Sequence, residues 1–370
     1  MIRNLLVTGG AGFIGANFVH YWTEHHEGGT VVVLDALTYA GNRANLEGIS
    51  ENVSVHFVHG DIGDRGLVES LMLKHRVDTI VHFAAESHVD RSIREPDAFI
   101  RTNVIGTHNL LQVARNVWLD RDDAPATHRF QHVSTDEVYG TLKPGDPAFT
   151  ETTPYAPNSP YAASKAASDH LVRAYHHTYG LDVSTSNCSN NYGPYQFPEK
   201  LIPLMIVNAL NGKILPVYGD GSNIRDWLYV EDHCCGIEHV IEKGRSGETY
   251  NIGGNNECAN IDIVRQVCAL IDETFEKRPT LADTYPDAPA ATGKRTESLI
   301  TFVKDRRGHD WRYAIDASKS SGELGYVPRE NFDSGLRRTL DWMLDNEAWW
   351  RAVMDGSYRE WIETNYDAPG

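Results

Sequence analysis

Tyr161 and Lys165 stand four residues apart in the stretch Ser159-Pro160-Tyr161-Ala162-Ala163-Ser164-Lys165. Ser is a favoured N-cap and Pro fits the first turn, so this stretch opens a helix with Tyr161 and Lys165 on one face. A phenol with a pKa of about 10 is a poor base at neutral pH. An ammonium beside it stabilises phenolate and can also hold a nicotinamide ribose. The phenolate can then take the proton of an alcohol as hydride departs. The same spacing also describes a surface Tyr and Lys on an amphipathic helix, so the residues upstream must decide between the two.

Upstream, Ser134-Thr135-Asp136-Glu137 follows an apolar run at 130–133. Ligands of open α/β sheets bind beyond the carboxyl ends of the strands. An adjacent Asp136 and Glu137 at such an end are an acid and a base in waiting, because repulsion and partial burial raise one pKa and keep that group protonated. Thr135 is placed to hydrogen-bond a sugar hydroxyl near Tyr161. The plainer alternative makes Asp136 a cap of the next segment and leaves Glu137 solvated.

The cofactor is indicated at the N-terminus. Thr8-Gly9-Gly10-Ala11-Gly12-Phe13-Ile14-Gly15 lies between a β-branched run and a helical stretch. Gly9, Gly12 and Gly15 remove side chains that would keep a diphosphate away from the backbone, and the helix start offers free N–H groups. Asp35 ends the second strand 20 residues after Gly15. An acid there accepts from the adenosine ribose hydroxyls and repels a 2′-phosphate, which selects NAD over NADP. Asp61, after the third strand, either caps the next helix or touches adenine.

The elements that must position these residues follow from the alternation of short apolar runs with helix-length stretches. Strands are expected at 5–8, 31–34, 53–58, 79–83, 130–134 and 183–187, with one more strand of the same sheet at 249–253. Helices are expected from the glycine loop to about residue 25, at 64–75, 99–118 and 161–179. Strands without clean alternation in a βαβα order indicate an α/β, Rossmann-type doubly wound parallel sheet. After about residue 190, Pro194, Pro198, Pro203 and Pro216 punctuate shorter segments. Residues 279–298 read as a loop, followed by a helix at 333–346 and a tail bearing Trp349, Trp350 and Trp361. The division expected is an NAD-binding domain at 1–189 plus about 231–260, and a smaller, mixed C-terminal substrate domain at about 190–230 plus 261–370.

Composition narrows the class further. The formal charge of −17 over 370 residues repels a phosphate backbone, so nucleic acid is not an expected partner. No apolar run approaches the roughly 20 residues of a membrane helix, and the start of the chain lacks the pattern of a signal peptide. Five cysteines without metal spacing read as reduced thiols of a cytoplasmic protein, with no metal site. The pairs His25-His26 and His176-His177 read as solvated helix positions.

These segments resemble the extended short-chain dehydrogenase/reductase superfamily, and within it the nucleotide-sugar 4,6-dehydratases. The resemblance is carried by TGGAGFIG (8–15), GD (60–61), FAAESHVDRSI (83–93), STDEVYG (134–140), YAASK (161–165), CSNNYGP (188–194), RDWLYVEDH (225–233), YNIGG (250–254) and RGHDWRYAID (307–316). STDEVYG is the specific one, since sugar-nucleotide 4-epimerases of the superfamily usually lack its acid pair.

The resemblance implies that Phe13, Ile14, Asp35, Asp61, Ile62, Ala84, Ala85, Thr102 and Lys165 line NAD, with Asn191 beside it. It implies dTDP-glucose as substrate and a 4-keto-6-deoxy sugar as product. Tyr161 removes the 4-hydroxyl proton, Glu137 takes the C5 proton and Asp136 protonates the departing 6-hydroxyl. Thr135 and Ser87 hold the hexose. Asn190, Arg225 and His309 contact the diphosphate region, with Lys200, Leu201 and Arg306 on the substrate side. Asn260 and the Pro216-Val217-Tyr218 segment lie near the nucleotide.

Arg225 suits a diphosphate because its fork matches oxyanions, although an ion pair with Asp226 is the alternative. A loop cap is the alternative for His309, and satisfaction of turn backbone is the alternative for Asn190-Asn191. Arg306-Arg307-Gly308-His309-Asp310 departs from the family's Arg-Pro-Gly-His-Asp at Arg307, where an added phosphate contact and a looser loop are both open. The resemblance also implies a homodimer through the helices at 99–118 and 161–179. Ile105, Leu110, Leu111 and Val113 are compatible with that, and equally with packing on the sheet. A 4-epimerase and an NAD-sensing protein without catalysis are the competing readings. Asp136 and Glu137 argue against the first. The complete set of Thr135, Asp136, Glu137, Tyr161 and Lys165 argues against the second.

Overall fold

Leu5, Leu6 and Val7 are all fully buried. Successive side chains of a strand point to opposite faces, so the first strand must be covered on both sides. The computed structural model describes residues 3–305 and 309–354. In chain order β1 (Asn4–Thr8) leads into α1 (Phe13–His25), β2 (Thr30–Asp35), β3 (Ser54–His59), α2 (Arg65–Lys74), β4 (Thr79–His82), α3 (Val89–Arg94), α4 (Pro96–Phe99), α5 (Thr107–Trp118), β5 (Arg129–Thr135), α6 (Pro160–Tyr179) and β6 (Val183–Cys188). There follow β7 (Asn190–Tyr192), α7 (Leu201–Leu210), β8 (Leu215–Tyr218), β9 (Ile224–Tyr229), α8 (Val230–Lys243), β10 (Thr249–Ile252), β11 (Glu257–Ala259), α9 (Asn260–Lys277), α10 (Leu281–Thr284), β12 (Ile300–Val303), α11 (Phe332–Asp345) and α12 (Glu347–Val353).

Seven strands form one parallel sheet in the order β10-β6-β5-β4-β1-β2-β3. The chain reverses direction across the sheet between β1 and β4, which leaves a crevice at their carboxyl ends. One face is covered by α2, α5 and α6 through residues such as Val68, Leu110 and Val172. The other is covered by α1 and α8 through Phe18, Trp22, Ile237 and Ile241. Leu110, Leu111 and Val113 therefore belong to this core rather than to a subunit interface, and among these four apolar residues only Ile105 is exposed. Truncating Leu110 to Ala is worth about 2–5 kcal/mol of core packing.

The smaller layer contains a three-stranded sheet, β11-β9-β7, and the parallel pair β12-β8. Its core is made by Ile202, Met205, Val264, Val267, Leu336, Leu340 and Trp350 of α7, α9, α11 and α12.

Three local features depart from the sequence reading. The helix expected at 99–118 contains a π-helical turn, Ile100–Gly106, whose Asn103 amide bridges Glu86 and the Ser164 hydroxyl. Such wide turns re-aim side chains, and this one turns Thr102 toward the crevice. Residues 279–298 hold α10 and further single turns, with Thr296 donating to Asp272. Turns of four residues are too short to show a period. His26 is not a solvated position: it pairs with Glu238 at 2.6 Å and stacks on Trp22.

Candidate active site

The glycine loop closes against the end of β4. Gly9 has φ +70°, and a Cβ there would lie 2.6 Å from the Ala84 nitrogen. A Cβ on Gly15 would lie 2.3 Å from the Gly9 oxygen, so the first turn of α1 is as close to the loop as backbone permits. Gly12 precedes α1 without a side-chain cap, leaving the first N–H groups and the positive dipole end for a ligand. The Asp35 carboxylate accepts from Ala11 N–H at 2.9 Å and Leu37 N–H at 2.8 Å. Burial pushes its pKa up, against these two bonds. Asp61 accepts from Gly63 N–H, while Asp64, not Asp61, caps α2.

A cavity of about 340 Å³ runs along this crevice. Gly9, Gly12, Phe13, Ile14, Gly15, Asp35, Asp61 and Ile62 line one end. Ala84, Ala85, Thr102, Tyr161, Lys165 and Asn191 line the rest. Thr135, Ser87, Asn190 and Lys200 border it as well. The structure thus brings every residue expected at the dinucleotide to one cavity. The donor set fits NAD: a side-chain-free cradle for the diphosphate, an acid at the adenosine end, and a Tyr/Lys pair at the other.

At that other end Tyr161 is buried, and burial, then the nearby Glu137, hold its phenol well above the usual range. Lys165 Nζ donates to the Val133 carbonyl at 2.8 Å. Burial lowers the ammonium's pKa, while Asp169, one turn further along α6, opposes the change. Thr135 Oγ1 accepts from Glu137 N–H at 3.3 Å, which turns the chain into a single 3₁₀ turn after β5. Asp136 is 2% exposed, and its Oδ2 has no hydrogen-bond partner. Burial is the main cause that raises its pKa, followed by Glu137 and Asp226, with Arg225 opposing. Burial therefore favours the protonated form of Asp136, and the cap of this turn is Thr135 rather than Asp136.

A second cavity of about 210 Å³ adjoins the first and shares Ser87, Asn190 and Lys200 with it. Glu137, Leu201, Pro216, Tyr218, Arg225, Asn260 and His309 also line it. Arg225 is held over the Tyr313 ring at 4.3 Å and donates to the carbonyls of Ile224 and Asp310. Its neighbour Asp226 instead accepts from the N–H groups of Gly254 and Asn256. His309 meets Asp305 at 2.7 Å, with its ring against Tyr218. The side-chain oxygens of Asn190 and Asn260 are buried without hydrogen-bond partners, which leaves acceptors for a ligand to satisfy. Asn191, by contrast, is tied to His233 and to the Ser189 carbonyl. Arg306 and Arg307 lie outside the described residues.

The sequence reading did not single out Tyr39, Gln196 or Glu199, which line the first cavity. Glu199 is buried against His88 and Arg91, and Arg91 lies over the Tyr39 ring at 3.8 Å. The only signals were Tyr39 four residues after Asp35 and Glu199 next to Lys200. Both lie in loops whose meeting no local pattern encodes.

A doubly wound parallel sheet, a glycine loop facing an acid at the end of β2, and Tyr161 with Lys165 at the end of β5 define a dinucleotide-dependent enzyme of the short-chain dehydrogenase/reductase class, with a second cavity on its substrate side. Comparison with known proteins narrows the class. A family model described as GDP-mannose 4,6 dehydratase matches residues 6–339. The dTDP-glucose 4,6-dehydratase of Xanthomonas campestris pv. campestris (strain B100) is 58% identical over 356 residues, covering 96% of this chain and 97% of that protein. Its counterpart from Neisseria meningitidis serogroup B is 54% identical over 359 residues, 97% of this chain and 98% of that one. The crystal structure of DesIV, a dTDP-glucose 4,6-dehydratase from Streptomyces venezuelae solved with NAD bound, is 47% identical with a TM-score of 0.81, covering 95% of this chain and 99% of that one. The chain belongs to the dTDP-glucose 4,6-dehydratase family of NAD-dependent hydro-lyases.

Proposed function

We propose that this chain converts dTDP-glucose to dTDP-4-dehydro-6-deoxy-glucose and water, with NAD retained from one turnover to the next. The observation that carries the reading is the buried Asp136, whose pKa burial drives up, next to Glu137, which lines the second cavity. A 4-epimerase needs no such pair, because epimerisation removes no C5 proton and releases no water.

NAD, held by the residues that line the first cavity, would supply a reversible hydride acceptor for the C4 oxidation and the C6 reduction. Everything else falls to the chain. Tyr161 takes the 4-hydroxyl proton, and Lys165 offsets the charge of the phenolate. Thr135 and Ser87 hold the hexose. The 4-keto group acidifies C5–H, and Glu137 removes that proton. Asp136 gives its proton to the departing 6-hydroxyl, which leaves as water. Its burial favours the protonated form, which an exposed Asp gives up well below neutral pH. Asn190, Arg225 and His309 take the diphosphate region, with Lys200 and Leu201 beside it. Pro216, Tyr218 and Asn260 take the nucleotide.

The two cavities also support the division into an NAD-binding part, residues 1–189 with about 231–260, and a substrate part from the remainder. We read the assembly as a homodimer: Ile93, Ile100, Ile105 and Tyr179 are exposed on helical segments that pack on one another. A cytoplasmic location accords with five cysteines that are all free thiols. Among the described residues no helix is long and apolar enough to cross a membrane.

The test is turnover of dTDP-glucose by purified protein in D₂O without added NAD. Loss of one water with deuterium at C5 is the expected result. A product of unchanged composition inverted at C4 would make the chain an epimerase. Reaction with only a UDP, CDP or GDP sugar would keep the chemistry and change the nucleotide.

A further inference from the structure

Asn45 is 1% exposed, and every polar group it carries is used. It lies in the 3₁₀ turn Arg43–Leu46, outside the lining of the dinucleotide cavity. Its Nδ2 donates to the Ala11 carbonyl at 2.9 Å, and its Oδ1 accepts from Trp349 Nε1 at 2.7 Å. Its N–H donates to the Asn42 carbonyl, and its own carbonyl meets His20 Nε2 at 2.9 Å. The amide orientation is fixed by chemistry, because an indole N–H only donates and a carbonyl only accepts.

Ala11 is the centre of the glycine loop. Its N–H is held by Asp35 Oδ2, and its carbonyl by Asn45 Nδ2 and Asn42 N–H. Both sides of the residue between Gly10 and Gly12 are therefore clamped, one by the acid at the adenosine end and the other by Asn45. Trp349, which completes Asn45, comes from α12, 304 positions further along the chain. Its ring packs edge-on against Trp342 at 5.2 Å and against Tyr195 at 5.9 Å. Tyr195 sits at φ +64° and stacks on His20, the residue that meets Asn45 from the other side.

We propose that Asn45 and Trp349 are positioning residues for the cofactor: a strut through which the C-terminal helix sets the glycine loop and so governs how firmly the chain keeps NAD. The proposal rests on the NAD reading above. Removing only the indole N–H leaves Asn45 Oδ1 buried without a donor. The amide then competes for other partners and leaves the Ala11 carbonyl to Asn42 N–H alone. The loss expected from one unsatisfied buried acceptor corresponds to NAD binding weakened on the order of tenfold to a hundredfold.

The experiment compares full-length wild type with Trp349→Phe and Trp342→Phe. Trp349→Phe keeps an aromatic ring and removes the N–H. Trp342→Phe alters the same aromatic cluster without touching Asn45. NAD content is measured after extended dialysis, then the NAD Kd of the stripped proteins, then kcat and KM for dTDP-glucose with NAD in excess. Trp349→Phe is expected to lose NAD on dialysis and to regain wild-type kcat and KM when NAD is supplied, while Trp342→Phe keeps its NAD. Wild-type retention by Trp349→Phe overturns the strut. Equal NAD loss in both variants also overturns it, because general packing would then be the cause. A Trp349→Phe protein that NAD does not rescue has a structural defect and counts against a positioning role. Wild-type protein that holds no NAD and gains no activity from it overturns the cofactor reading itself.

Discussion

Asp136 and Glu137 are neighbours in sequence with opposite tasks, and their surroundings separate them. Asp136 is buried with one unpartnered oxygen and a raised pKa, while Glu137 reaches the second cavity. Replacing Glu137 by Gln removes the base at C5 but leaves Tyr161 and Lys165 intact. Dehydration is expected to fall at least about a hundredfold, the scale of one general base. Bound NAD should still be partly reduced on mixing with dTDP-glucose, read as the absorbance of the reduced nicotinamide. Normal amounts of dehydrated product from this variant would assign the C5 base elsewhere.

A second residue-scale prediction concerns Asp169, one turn beyond Lys165 on α6. Its carboxylate accepts from Ser134 and Tyr155 at 2.9 Å each and meets His132 Nε2 at 3.1 Å, with His170 and Lys165 as its charged neighbours. Burial raises its pKa to about 6. Above that pH the anion supports the Lys165 ammonium; below it the support is lost. The expectation is that kcat falls as pH drops through about 6, and that Asp169→Asn flattens this limb while lowering the plateau. Folding stability responds in the other sense. The folded chain binds the proton more tightly than the unfolded one, so this site's contribution is full below about 3.9 and is lost as pH rises through about 6. An unchanged acid limb in Asp169→Asn would remove Asp169 from the pH profile.

At the scale of elements, the glycine loop and α6 show what a sequence can specify. Their candidate residues sit at fixed local spacings, so type and spacing, read together with the βα order around them, singled out Gly9, Gly12, Gly15, Tyr161 and Lys165. Strands such as β1, β2 and β4 were legible because burial on both faces makes them nearly continuous apolar runs, whereas the edge strand β3 is part-exposed and showed through its β-branched residues. In the smaller layer the helix expected at 333–346 was found as α11, but the short strands and α7 were not legible. β7 and β11 have three residues each, β8 and β12 have four, and α7 is apolar all round, so neither period appears. Tyr39 and Glu199 escaped for a different reason, since only tertiary packing brings their loops together.

The loop's tightness gives the prediction at this scale. Gly15→Ala places a methyl 2.3 Å from the Gly9 oxygen. Ala suits the helix interior better than Gly, so α1 should still form. The loop must move, at a cost of about 1–3 kcal/mol, and NAD affinity should fall roughly tenfold to a hundredfold. NAD content after dialysis and the thermal midpoint of the stripped protein separate the two effects. Full NAD retention would mean that the loop yields without loss.

For the whole molecule, charge and apolar surface pull in opposite directions. With a net charge of −17, two copies repel at long range. Association must then rest on apolar contact at a face where few acids intervene. Ile93, Ile100 and Ile105 are 45%, 48% and 55% exposed, high for β-branched apolar side chains, and Tyr179 on α6 is 44% exposed beneath the Arg115 guanidinium. Ile105 lies in the same π-helical turn as Thr102, which borders the NAD cavity. Covering Ile105 with a second copy would therefore also hold that turn in place. If the proposed homodimer forms through this face, Ile105→Asp puts a charge on it and should shift the equilibrium toward monomer by at least tenfold in dissociation constant, measured by sedimentation at micromolar protein. Because the contact is apolar, added salt should strengthen wild-type association by screening the repulsion, rather than weaken it as it would an ionic interface. NAD retention should fall together with the dimer fraction. If wild type and Ile105→Asp sediment alike, the exposed isoleucines serve no dimer, and the π-turn is held by Asn103 alone.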